Sequence, residues 1–157
     1  MRPDPLLTRA EPGLAFAAAF LSAFALFRAS DAVYTVLSVP RGVPEMLTAE
    51  LPMTVMLLVT ALSPFTRFCR PILIAGCFWR GAALGCLLAF LTSERLAGIR
   101  PVTTAALAIL SALVYLALAA ECQAAHPGLM AGGGTREHLK TSLVFAGAHF
   151  LIDLALI

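Results

Sequence analysis

The sequence predicts an all-α protein, a polytopic membrane bundle of five transmembrane helices in a single domain. Of its 157 residues, 60% are hydrophobic and 13% are charged, whereas soluble domains have about 45–50% apolar and about 25% charged residues. The mean hydropathy of +0.89 points the same way. The apolar residues form long runs without the alternating pattern of barrel strands, so helices are expected to span the membrane. This composition argues against a soluble enzyme, a disordered chain and a nucleic-acid binder.

The predicted spans follow the apolar runs in chain order. Crossing the hydrocarbon core of a bilayer, about 30 Å thick, takes about 20 helical residues. Residues 1–12 are polar and contain three prolines, so we expect them to form a cytoplasmic N-terminal segment. The spans are about 13–39, 51–68, 71–92, 101–120 and 141–157, with polar connections between them.

The second span is the shortest of the five. Its apolar run, Leu51–Phe65, crosses the bilayer only if the helix continues past Pro64 to about Phe68 with a kink. The alternative is a bundle of four spans in which residues 44–68 form a re-entrant or interfacial helix.

The basic residues favour five spans, because arginine and lysine concentrate on the cytoplasmic side. With five spans and the N-terminus inside, six basic residues lie inside and three outside; with four spans the counts are four and five. The six are Arg2, Arg9, Arg67, Arg70, Arg136 and Lys140, and the three are Arg41, Arg95 and Arg100. We expect the N-terminus in and the C-terminus out. Small size and the lack of a convincing cleavable leader favour the bacterial inner membrane.

The charge network predicted at membrane depth consists of Arg28, Asp31, Arg80, His149 and Asp153. A charged residue at the bilayer centre costs about 2.5–3.5 kcal/mol on insertion scales, so each should face protein or water and have a partner. Arg28 and Asp31 share a helix face and can pair locally. Arg80 is expected to pair with Asp153, which His149 precedes by one turn. Such a network either holds helices and subunits together or, with Arg80, His149 and Asp153, forms a substrate, proton or quinone site.

The first span has two faces of different size. Phenylalanines recur on one side, at Phe16, Phe20, Phe24 and Phe27. Small residues recur on the opposite side and include Ala18, Ser22 and Ala25. Small residues allow close helix contact in membranes. We therefore expect the small face to pack against another helix, and the phenylalanine face to contact lipid or a pigment.

The third span contains Gly81-x-x-x-Gly85, with Cys77 one turn earlier on the same side. This small-xxx-small pattern is typical of close packing between membrane helices. It predicts a packing seam within the chain or between subunits, beside Arg80.

The cysteines and the last polar segment indicate no metal site. Four cysteines without a C-x-x-C pair are expected to be free, buried thiols that act as small hydrophobes. In residues 121–140, the spacing of Cys122, His126, Glu137 and His138 matches no standard metal pattern. With its three glycines, this segment is predicted to be a mobile, solvated loop. No cofactor is implied.

The order of Glu50, an apolar run, Arg67 and a second apolar run resembles the second and third helices of the DoxX-like small membrane proteins. The resemblance covers about residues 50–90. It implies a four-helix plan, one span fewer than predicted, and no site residue follows from its generic elements.

A bundle this small has few interior positions, so many helix faces must meet lipid or another chain. The leading functional hypothesis is an accessory or assembly subunit that packs within a larger inner-membrane complex, through small-residue seams and buried Arg/Asp pairs. The expected partners are the lipid bilayer and other membrane subunits or further copies, not nucleic acid. The alternatives are a small oligomeric transporter or channel lined by Arg80, His149 and Asp153, and a redox-associated membrane component with DoxX-like character.

Overall fold

The computed structural model describes residues 5–29, 43–92 and 101–156, apart from several side chains, that of Asp153 among them. The elements are α1 (Pro5–Ala29), α2 (Val43–Leu62), a 3-10 turn (Ser63–Phe65), α3 (Cys69–Leu91), α4 (Pro101–Met130) and α5 (Thr135–Leu156). The predicted all-α class and its five helices are confirmed for this part of the chain. Within the described ranges, three stretches are long and apolar enough to cross a membrane: Ala10–Arg28, Cys69–Leu91 and Val102–Met130.

Helix α1 begins at Pro5, eight residues before the predicted first span. Residues 5–12, part of the predicted cytoplasmic N-terminal segment, are therefore helical. A proline fits the first position of a helix, where its missing N–H is not needed. Pro12 lies inside the helix and is buried. The next residue back, Glu11, pairs with Arg70 of α3, whose Nε donates to Oε2 at 2.6 Å. The predicted continuation to residue 39 lies outside the described residues beyond Ala29.

Helix α2 ends at Leu62, so the predicted kinked continuation to Phe68 was wrong. A proline disfavours helical geometry at the residue before it, and Pro64 places this break at Ser63. The Ser63 hydroxyl donates to the Thr60 carbonyl at 2.8 Å, and a 3-10 turn follows. The apolar part of this segment, Leu51–Phe65, is shorter than the three candidate spans.

The predicted solvated loop over residues 121–140 was also wrong. Helix α4 continues to Met130 and α5 begins at Thr135, which leaves a four-residue turn. Cys122 is fully buried, so tertiary packing keeps this polar stretch helical. Gly132 N donates to Leu129 O and Gly133 N donates to Gly128 O, both at 3.0 Å, as in a Schellman cap. Gly132 has φ +85°, which glycine adopts without strain.

Helix α1 packs along α3 at the predicted glycine seam. A Cβ added at Gly81 would collide with the backbone of Phe16, and one at Gly85 would collide with the backbone of Phe20. The two backbones are therefore in direct contact. Gly81 and Gly85, where the sequence predicts a packing seam, thus meet a helix of the same chain.

Within the chain, the phenylalanine face of α1, and not its small face, meets the neighbouring helix. The phenylalanine face lies toward α3, and Phe16, Phe20, Phe24 and Phe27 are all half-buried. The small face is exposed at Ala18, Ser22 and Ala25. Because α3 supplies the glycines, the close approach needs no small residues on α1. The phenylalanines fill the space on either side of the contact.

The core has two adjoining parts. Leu57, Leu73, Tyr115 and Leu118 join α2, α3 and α4. Nearer the end of α3 and the start of α4, Leu84, Ala108 and Ala112 pack with the phenylalanines of α1. Phe16 contacts both parts and connects them. The core therefore follows α3 and α4, and the other helices lie around this pair.

Candidate functional site

A polar cluster lies inside the bundle where α3, α4 and α5 meet. Arg80 Nη2 of α3 donates to Ser111 Oγ of α4. The same oxygen lies 3.3 Å from His149 Nε2 of α5. Ser111 and His149 are fully buried, and Arg80 is half-buried. The structure thus brings together Arg80 and His149, two of the predicted site residues, through a serine that the sequence analysis did not assign to the site.

Two further hydroxyl groups extend this cluster to α2. The Tyr115 hydroxyl of α4 lies 2.7 Å from Thr60 Oγ1 of α2, and both side chains are fully buried. The Tyr115 ring meets the His149 ring edge to face, with centroids 6.0 Å apart. Gly76 of α3 makes this possible, because a Cβ there would collide with the Tyr115 hydroxyl.

Helical spacing explains why these residues meet. Gly76 and Arg80 are four residues apart on α3, and Ser111 and Tyr115 are four residues apart on α4. Residues at this spacing lie one above the other on a helix face. Each helix therefore presents a short row, and the two rows pair: Arg80 with Ser111, and Gly76 with Tyr115. Ser111 and Tyr115 are the two hydroxyl residues in the middle of the uncharged run 101–120, and this was the signal available in the sequence.

The described part of the cluster brings a cation together with neutral polar groups. A guanidinium is a permanent cation with five N–H donors. One donor reaches Ser111, and Nη1 lies 3.7 Å from Met53 Sδ of α2. When Ser111 accepts from Arg80, its own hydroxyl hydrogen can be donated to a neutral His149 Nε2; alternatively, a protonated Nε2 donates to the serine. The group can hold an acceptor or transfer a proton, and it also connects α2, α3, α4 and α5.

The acidic side chains predicted as partners of Arg28 and Arg80 do not belong to the part of the chain that the structure describes. The Asp153 side chain and the whole of Asp31 are outside the described part, so the Arg80–Asp153 and Arg28–Asp31 pairs stay predictions. Arg28 Nη1 donates to the Thr92 carbonyl at 2.9 Å, at the end of α3. This bond joins the ends of α1 and α3.

A second polar group lies at the end of the bundle where α2 and α4 finish. His138 Nε2 lies 3.1 Å from the Ala61 carbonyl and 3.2 Å from Ser142 Oγ. His126 Nδ1 lies 2.9 Å from the Pro64 carbonyl. Carbonyls can only accept, so both histidines donate here. Within the described residues, no three potential ligands come together as a metal site.

The thiols match the prediction. All four cysteines are free; three are buried, Cys69, Cys77 and Cys122, and Cys86 is half-buried. Cys69 also lies 3.6 Å from the Ser63 hydroxyl. The buried thiols pack in the core as small apolar groups.

For the described residues, fold and site together define a helical bundle with three helices able, by length and composition, to cross a membrane, and with an arginine–serine–histidine cluster where α3, α4 and α5 meet. Comparison with protein-family models, curated proteins and solved structures finds no match for this chain. The resemblance of residues 50–90 to the DoxX-like proteins stays a sequence-based expectation.

Proposed function

We propose that this protein is a small integral membrane subunit that packs within a larger inner-membrane complex through the outer face of α1. One observation carries the proposal: a stripe of alternating large and small residues lies exposed along this helix. Leu14 and Leu21 are 60% and 64% exposed, and the alanines and serine beside them are exposed as well. The stripe consists of Leu14, Ala18, Leu21, Ser22 and Ala25.

The spacing of this stripe suits a second helix better than lipid. Its members recur at i, i+4, i+7, i+8 and i+11, which keeps them on one side of a helix. Small residues let two backbones approach closely, and large neighbours fill the gaps around the contact. Helix α1 uses its opposite face for α3. The outer face is therefore open to another chain.

The buried cluster supports this role because it holds the helices of the bundle in a fixed arrangement. Interhelical hydrogen bonds in membranes average about 0.6 kcal/mol and reach about 1.7 kcal/mol. Ser111 and His149 are fully buried, as are Thr60 and Tyr115. Breaking such a network leaves polar groups without partners in an apolar interior, so its members hold α2, α3, α4 and α5 in one arrangement.

We also propose five spans with the N-terminus in the cytoplasm. Three contacts support an alternating course of the helices. Glu11 near the start of α1 pairs with Arg70 at the start of α3. The end of α2 contacts α5 near its start, through Ala61 and His138. His126 near the end of α4 contacts the 3-10 turn. One end of the bundle thus collects the basic residues around the starts of α3 and α5, as the positive-inside rule expects of a cytoplasmic side.

The native mass and an α1 surface variant test the subunit proposal. We expect the chain, extracted from its own membranes in mild detergent, to run as a stable complex larger than the monomer. The double variant A18F/A25F should run as a monomer, because bulky rings prevent close helix contact. The matched control is L113F/V144F, which changes exposed positions on α4 and α5. A wild-type monomer in native extracts, or equal assembly of both double variants, would contradict the proposal.

A transporter or channel is the second candidate, and the partial exposure of Arg80 favours it. This cation is half-buried, whereas its serine and histidine partners are fully buried. An ionisable group at membrane depth often marks an ion or substrate path. The variants Arg80→Leu and Asp153→Leu, made singly and together, separate the candidates. Assembly lost in each single variant and restored in the double variant indicates a structural pair. Intact assembly with lost flux in reconstituted vesicles indicates a transport path.

A further inference from the structure

An apolar groove of about 340 Å³ opens between α2 and α5 on the side of the bundle. Leucines form most of its walls, and a phenylalanine closes one end. Hydroxyl groups contribute little: that of Ser142 is engaged by His138 Nε2 at 3.2 Å. The principal wall residues are Leu57, Leu58, Leu62, Leu139, Leu143 and Phe150.

The dimensions of this groove fit one hydrocarbon chain. Its wall on α2 runs from Thr54 to Leu62, which is about 12 Å at the helical rise. One leaflet of a bilayer contributes about half of the 30 Å hydrocarbon core. The volume corresponds to about ten methylene groups, if each is taken as similar in size to a water molecule at about 30 Å³. A groove this long and this narrow matches an acyl chain that lies along the helices.

Two exposed arginines belong to the segments that border one end of the groove. Arg136 precedes Leu139 by three residues and Leu143 by seven, so it lies on the same face of α5, one turn beyond the wall. Arg136 makes no hydrogen bond or ion pair to another described residue. Arg67 follows the 3-10 turn after α2, and its guanidinium lies 5.6 Å from the centre of the Phe68 ring. Both arginines are exposed.

The neighbouring charges are already paired. Arg70 binds Glu11, and Lys140 Nζ lies 3.6 Å from Glu137 Oε1. Among the side chains that the structure describes, Arg67 and Arg136 are therefore the cations available to an anion at this end. A lipid whose acyl chain filled the groove would have its phosphate at this level, because the groove is about as long as one leaflet.

We infer that the groove between α2 and α5 binds one acyl chain of an anionic phospholipid, whose headgroup is held by Arg136 and Arg67. This inference rests on the proposed membrane spans of α2 and α5 but not on the subunit role, which concerns the outer face of α1. The lipid completes the apolar surface where α2 is short, and it fixes the level of the bundle in the bilayer.

Native mass spectrometry of the full chain in nonionic detergent tests the inference. The probes are phosphatidylglycerol and phosphatidylcholine with identical acyl chains. We expect one phosphatidylglycerol to remain bound and to bind at least fivefold more tightly than phosphatidylcholine. The variant Arg136→Gln should weaken phosphatidylglycerol binding about fivefold, as expected for one basic residue near an anionic headgroup, and leave phosphatidylcholine binding unchanged. Arg136→Lys should retain the preference.

Two bulky substitutions test the groove itself. Ala146 lines the groove, so Ala146→Phe should fill it and reduce the binding of both lipids more than tenfold. Val144 lies on the same helix, is 70% exposed and is not part of the groove, so Val144→Phe is the matched control. If Ala146→Phe unfolds, Leu58→Phe, on an exposed wall position, replaces it.

Three results would overturn the inference. The first is equal binding of the two lipids to the wild type. The second is an equal effect of the groove variant and its control. The third is dissociation of a homo-oligomer by the groove variant, which would show that a second copy occupies the groove.

Discussion

Adding a single methyl group at Gly81 is predicted to push α1 slightly away from α3. A Cβ at this position would lie 3.0 Å from both the Cα and the carbonyl carbon of Phe16, and closer still to its oxygen. Carbon atoms pack best at about 3.5–4.0 Å. The obstructing atoms belong to a helix backbone and cannot rotate away, so α1 has to retreat by about 0.5–1 Å. A gap of that size removes about a quarter to a half of the dispersion attraction in each contact along the seam.

The expected cost of Gly81→Ala follows from two opposing effects. Overpacking costs about 1–3 kcal/mol, and replacing a helical glycine by alanine returns about 0.5–1 kcal/mol. The net loss in the free energy of unfolding is about 1–2 kcal/mol. The same exchange at Gly147 of α5, where nothing lies within 4 Å of an added Cβ, should instead stabilise by about 0.5–1 kcal/mol. The two variants therefore differ in sign.

Unfolding in mixed micelles titrated with SDS, followed by far-UV circular dichroism, measures both variants. Gly85→Ala should behave like Gly81→Ala, because its Cβ would lie 3.0 Å from Phe24 N and 3.2 Å from the Ala23 Cβ. One displacement of α1 relieves both collisions, so the double variant should cost less than the sum of the two single variants. A gain in stability for Gly81→Ala as large as that for Gly147→Ala would refute close packing of α1 on α3.

Two further substitutions and one labelling experiment probe the interior of the bundle. Tyr115→Phe should lower the free energy of unfolding by about 0.6–1.7 kcal/mol, because Thr60 Oγ1 loses its hydroxyl partner. A double-mutant cycle with Thr60→Val measures the coupling energy between the two side chains. A coupling energy of zero would contradict the hydrogen bond. Ser111→Ala should lower the free energy of unfolding by about 1–3 kcal/mol, because it removes the hydroxyl group between Arg80 and His149. The control Ser22→Ala, at an exposed position, should change the SDS unfolding curve little. Maleimide labelling of the native chain should modify Cys86 first, since the other three thiols are buried; mass spectra showing equal rates at all four would argue against this core.

The two faces of α1 show what local sequence does not determine, namely which face of a helix contacts its neighbour. Phenylalanines on one side and small residues on the other indicate two different surroundings, and this much is local. Which face meets the neighbouring helix depends on that neighbour. Gly81 and Gly85 on α3 provide the room for a close approach, so large side chains on α1 can lie against it. No periodicity within α1 contains that information.

The polar cluster was only half predictable for a similar reason. Charges at membrane depth require partners, so Arg80 and His149 could be singled out from their cost alone. A serine hydroxyl in a helix can instead bond to the carbonyl one turn earlier, so Ser111 carries no such requirement. Tyr115 is neutral, so it does not have the cost of a buried charge. Only the packing of α4 between α3 and α5 shows that these hydroxyls serve other helices.

Composition and apolar run length alone predicted the all-α class and the five helices, because backbone groups among so many apolar side chains must be satisfied within each segment. The spacing of the cysteines predicted that they are free. Tertiary structure decided where the helices end and which sides touch. Cys122 in the core and His126 on the Pro64 carbonyl keep α4 helical through a polar stretch. Such contacts join residues far apart in the chain, and their energy depends on a neighbour that local sequence does not specify.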